Sequence, residues 1–219
     1  MGSHGPIGSW DIYAVIDMSY LFLEKRENAN QGPNPIPGAD KFNGDLSKWD
    51  VLDVFNMHGM FRYAKSFNAD LSKWDVSSVT YMGTMFGEAT VFNADLSKWD
   101  VSSVTDMGAM FGKVKSFNAD LSKWAVSSVT DMGGMFADAI SFNADLSKWD
   151  VSSVTNMARI FEGASSFAQN LCGAWLASAA NKEAMFEGSS GRICRKTQTP
   201  NSTDESQSAP LPPTKPYSV

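Results

Sequence analysis

The sequence predicts an α/β repeat solenoid: a right-handed array with a parallel β-sheet along one side and short helical or 3₁₀ turns along the other. Three observations predict it. Phe42, Phe67, Phe92, Phe117, Phe142 and Phe167 recur every 25 residues without a slip. Within each copy, strict apolar–polar alternation gives way to apolar residues every three or four positions. Both ends of the series are degenerate, as terminal repeats are when they cap a stack. A fixed period of this length means one unit copied and stacked, because a single copy cannot bury its own apolar face.

The stretch Phe92-Asn-Ala-Asp-Leu-Ser97 carries the alternation of a half-buried strand, with Phe, Ala and Leu inward and Asn, Asp and Ser outward. Val101, Val104, Met107, Met110 and Phe111 then recur at helical spacing. Gly108 and its equivalents Gly83, Gly133 and Gly134 argue for a short helical turn close to 3₁₀. Strand then turn, once per repeat, is the layout of a leucine-rich repeat.

Five full repeats span 42–166, and a degenerate capping repeat occupies 167–195. Residues 10–41 read as an N-terminal half-repeat, in which Trp10 to Phe22 aligns with Trp99 to Phe111, followed by a Pro-, Asn- and Gly-rich loop insertion. Residues 1–9 look like an expression tag and linker, and 196–219, rich in Thr, Ser, Pro and Gln, hold too little apolar surface to fold.

A formal charge of −6 argues against nucleic acid, which selects clustered Lys and Arg. No apolar run is long enough to span a bilayer. Cys172 and Cys194 both lie in the C-terminal capping repeat. A disulfide there is expected to staple the exposed end, contributing about 3 kcal/mol on the chain-entropy model. That pairing points outside the reducing cytosol.

Stacking turns each repeated residue into a row. The Trp rows (Trp49, Trp74, Trp99, Trp124, Trp149) and Met rows are expected to be core rather than a sugar platform or a copper site. The candidate ligand-binding face is polar: Asn68, Asp70, Ser72, Asn93, Asp95, Ser97, Asn118, Asp120, Ser122, Asn143, Asp145 and Ser147. A row of carboxylates is self-repelling. Backbone N–H donors in a turn, or the lysine three places later in each copy, could offset it. Calcium held at Asp70, Asp95, Asp120 and Asp145 is the other answer, since hard cations take oxygen ligands. No other cofactor is implied. No catalytic residues stand out, because identical carboxylates lack the differing environments that separate an acid from a base.

Repeats reading Phe-Asn-x-Asp-Leu-Ser-x-Trp-Asp-Val-Ser-x-Val-Thr-x-Met-x-x-Met-Phe resemble the BspA-like surface-protein leucine-rich repeats, including the mycoplasma-type lipoprotein repeat. The resemblance covers Trp10 to Phe186. Ala125, where the other full repeats have Asp, and Leu52-Asp53-Val54-Phe55 depart from the pattern. The resemblance implies an extracellular or cell-surface protein, non-catalytic, that binds a protein or glycan ligand and in some members mediates adhesion.

Overall fold

The computed structural model describes residue 7 and residues 10–23 and 36–195. The expected tag at 1–9 apart from Ile7, most of the expected loop insertion (24–35) and the expected unfolded tail at 196–219 lie outside the described residues.

Successive 25-residue copies lie side by side as rungs. Parallel bridges run from Asp17 to Asn56, Tyr81, Asp106, Asp131, Asn156 and Asn181 in turn. The pairing is concentrated at the Met-Gly-x-Met-Phe segment, where the sequence predicts a helical turn. Met107, Ala109, Phe111 and Lys113 donate their N–H groups to Asp131, Gly133, Met135 and Ala137 of the next rung, at 2.7–2.9 Å. The intervening Met110, Gly112 and Val114 donate three residues back, to Met107, Ala109 and Phe111. Alternate amides therefore serve the rung and its neighbour, and none of these is left unpaired.

This backbone is a chain of tight turns, with Ala109 at φ 50° and Lys113 at φ 60°. Three-residue turns set Met107, Met110, Phe111 and Val114 inward, which is why their spacing mimics a helix. The only α-helix among the described residues, α1, is Ala174–Ala177.

The predicted strand is the other difference. Phe92–Ser97 alternates between buried and exposed as expected, yet forms no strand. Side chains bridge its rungs instead. Each Asn Oδ1 accepts the backbone N–H of the next Asn, from Asn43 through Asn68, Asn93 and Asn118 to Asn143, all at 2.8 Å. Trp74, Trp99, Trp124 and Trp149 each donate Nε1–H to the Leu carbonyl 28 residues earlier, as Trp99 does to Leu71 at 3.1 Å, while Trp49 donates to Ile7 at 3.0 Å. Alternation reports burial here, while the ladder is made by amide and indole groups.

The core is one continuous cluster, and no polar or charged residue is buried among the described residues. Two Phe rows interleave: Phe111 lies 3.8 Å from Phe117 and 5.7 Å from Phe136, ring centre to ring centre. The Trp rings stack 6.4–6.5 Å apart, from Trp49 and Trp74 to Trp149. Each such side chain is worth about 1.5–3 kcal/mol of burial.

At the C-terminal end, β1 (Asn170–Leu171) pairs in parallel with β2 (Arg192–Ile193). The Cys172–Cys194 disulfide pins that pairing, with the Cα atoms 5.0 Å apart. Trp175, on α1, continues the indole row by donating to Leu146 at 3.0 Å.

Two outcomes follow for stability. Phe117→Ala, in mid-stack, should cost about 3–5 kcal/mol in urea unfolding; a loss below about 1 kcal/mol would mean that the rungs repack freely. Replacing both cysteines with alanine should cost about 3 kcal/mol on the chain-entropy model. Amide exchange should then rise chiefly over 167–195, because each rung touches only its neighbours.

Candidate functional site

The sequence-predicted face survives as a surface. Asn68, Asn93, Asn118 and Asn143, and Asp70, Asp95, Asp120 and Asp145, are all exposed; Ser72, Ser97 and Ser122 are half-buried and Ser147 is exposed. The rows are less free than exposure suggests. Each Asn spends its Oδ1 on the neighbouring rung, and Asn143 does so toward Ala168 at 3.0 Å. Each Asp turns Oδ1 back onto the N–H of the Ser two residues on, at 2.8–2.9 Å, in Asp70, Asp95, Asp120 and Asp145.

That turn decides the electrostatics. The Ser N–H holds the carboxyls of Asp70, Asp95, Asp120 and Asp145 below their ordinary value, helped by the Ser hydroxyl and by the positive charge of the following Lys. The carboxylate row is thus offset from within. Among the described residues no group of three His, Cys, Asp or Glu side chains, at Asp70, Asp95, Asp120 and Asp145 or elsewhere, is placed to hold a metal ion. Asp75, Asp100 and Asp150 repeat the device, their Ser hydroxyls first and backbone amides second keeping the acid form disfavoured. Ala125 lacks the carboxylate, yet Trp124 and Val126 stay buried on either side of it.

A second surface was not legible from the repeat. Over the turn segment a groove of about 630 Å³ is floored by Gly and Ala and edged by Arg62, Glu88, Lys113, Asp138, Arg159 and Glu162. Its charges pair locally, Lys113 with Glu88 at 3.5 Å and Arg159 with Glu162 at 3.6 Å. Glu88, Lys113, Asp138 and Arg159 hold positive φ, a conformation that costs a side-chain-bearing residue about 1–2 kcal/mol. The signal that could have found this groove is variation: these positions differ from copy to copy, while the positions of Asn68, Asp70 and Trp74 are the same in all five full repeats.

His58 stands where the other full repeats have Gly83, Gly108, Gly133 and Ala158, and is half-buried, its ring 5.2 Å from that of Tyr20 and its Nδ1 4.0 Å from Asp106 Oδ2. Burial lowers its pKa despite that carboxylate. Gly83 leaves room for it: a Cβ there would lie 2.7 Å from His58 Nδ1 and would force the imidazole to shift.

Parallel rows of identical side chains on stacked 25-residue copies define a repeat protein whose surface is a periodic display. The family model described as Mycoplasma protein of unknown function, DUF285, matches residues 3–113 and 92–195. The chain belongs to that family. No curated protein matches it. Among the described residues no helix is long and apolar enough to cross a membrane.

The carboxyl shifts set an acid limit. Groups whose folded pKa is lowered stabilise the protein above the ordinary carboxylate range, and that contribution is lost as pH falls through it. The melting temperature should therefore hold steady from neutrality to about pH 5 and fall below about pH 4. A melting temperature unchanged down to about pH 2 would show that the Asp turns contribute nothing.

Proposed function

We propose that the chain is a BspA-like, leucine-rich-repeat-type solenoid of right-handed sense, working as a non-catalytic surface or secreted binding module. Its ligand is a protein or glycan met through the Asn, Asp and Ser rows. The observation that carries this reading is the combination of exposure and fixity. The same Asn, Asp and Lys are presented on successive rungs, and hydrogen bonds within and between rungs hold the backbone beneath them. A rigid periodic row suits a ligand that is itself periodic or extended, because contacts along it add with little further ordering cost. Family membership and the disulfide at the C-terminal end agree with an oxidising, external location.

The test replaces charge without breaking the turn. Asp70→Asn, Asp95→Asn, Asp120→Asn and Asp145→Asn together keep an oxygen acceptor for each Ser amide. Beads coated with this variant should adhere to cultured cells at least about tenfold less well than beads bearing the parent protein. Equal adhesion by both would remove the Asp row from the binding face.

A further inference from the structure

The first three rungs carry a surface that the others lack. In rungs four to six the turn before the bridge is built from small hydroxyl residues: Ser102, Ser127 and Ser152 at its corner, and Thr105, Thr130 and Thr155 beside the bridge. In the first two rungs those positions hold Tyr13 and Leu52, and Ile16 and Phe55; Tyr81 takes the bridge position in the third. All five are solvent-exposed, Tyr13 at 78% and Ile16 at 55%.

They form one patch. Phe55 donates its N–H to Ile16 at 3.0 Å, and Thr80 and Tyr81 both donate to Phe55. Tyr13 and Leu52 occupy the same Asp-capped turn on adjacent rungs, their N–H groups on Asp11 and Asp50. A cleft of about 570 Å³ also lies at the first rung, lined by Ile12, Val15, Met18, Leu21 and Trp49 among others, with Ile12 and Val15 the chain neighbours of Tyr13 and Ile16.

The rim has one sign. Segments 11–17, 50–56 and 75–81 contain Asp11, Asp17, Asp50, Asp53 and Asp75 and no Lys or Arg; Lys48 and Lys73 stand at the border. A contiguous exposed apolar patch marks an interaction site, and its rim charge selects the partner. We propose that this N-terminal patch docks a basic amphipathic peptide segment of another protein. An apolar anchor from that segment enters the cleft, and its Lys or Arg residues meet the five carboxylates. The surface is separate from the Asn, Asp and Ser rows, so its fate does not depend on theirs.

The probe is a helical peptide of about 15 residues, Leu on one face and Lys on the other, with a Leu/Glu peptide as control. Titrated against the protein, the Leu/Lys peptide should bind saturably and weaken with added salt. The variant Tyr13→Ser/Ile16→Thr/Leu52→Ser/Phe55→Thr/Tyr81→Asn installs residues that other rungs already carry at the same positions. It should fold as the parent does and bind about tenfold more weakly or worse. A second variant, Asp11→Asn/Asp50→Asn/Asp53→Asn, keeps the turn acceptors and should lose both affinity and salt dependence. The proposal is overturned by absence of saturable binding, by equal binding of the Leu/Glu peptide, or by undiminished binding to the five-residue variant. Sedimentation showing that the parent pairs through this patch, and the variant does not, would assign it to a second copy instead.

Discussion

Each rung leaves half of its turn-segment amides for the next rung to accept. Met107, Ala109, Phe111 and Lys113 have no acceptor within their own copy; their carbonyl partners lie 24 residues further along the chain. An isolated repeat would expose these donors along with two Phe and a Trp. It would have nothing to offset the roughly 1–2 kcal/mol of backbone entropy lost per ordered residue. The periodic sequence follows from this. A residue at one position must satisfy a neighbour of the same kind, so drift in one copy is penalised by two others.

On the opposite side of the rung the constraint is met by side chains. Asn93 accepts from Asn118 and donates its own amide to Asn68, so the row is both decoration and scaffold. Trp99 closes the core with its ring and fixes the preceding rung with its N–H. Positions free of such duties are the ones that vary: the groove edge at Glu88, Lys113 and Asp138, and the corner at Tyr13, Leu52 and Phe55. Invariance within the chain follows from contact between one copy and the next, and variation marks the positions released from that duty.

Burial was legible in the sequence because alternation and spacing report it directly. Phe117, Leu121, Trp124, Val126 and Met132 all lie where the pattern puts them. The hydrogen bonding was not legible. The alternation of Phe92–Ser97 is compatible with a strand, and nothing in it says that Asn amides will replace strand pairing. The spacing of Val104, Met107 and Met110 fits a helix as well as a run of three-residue turns, and only positive φ at Ala109 and Lys113 separates them. The Asp row was legible as a candidate site, and its internal neutralisation by Ser amides was one of the two answers the residues allowed. The groove was not legible because its edge is made of positions that do not repeat, and Leu52 and Phe55 stood out in the sequence only as a departure from the pattern.

Nearest-neighbour stacking also has a mechanical meaning. Pulled from its ends, such a body yields rung by rung rather than all at once, since releasing one copy removes contacts with only its neighbour. Each released rung lengthens the chain by roughly 80 Å, the contour of 25 extended residues less the spacing it occupied in the stack. The Cys172–Cys194 bond shields the residues between the two cysteines at one end from that extension. A tether built this way dissipates load in equal steps, and the stiff rows on its flank keep their spacing until their own rung gives way.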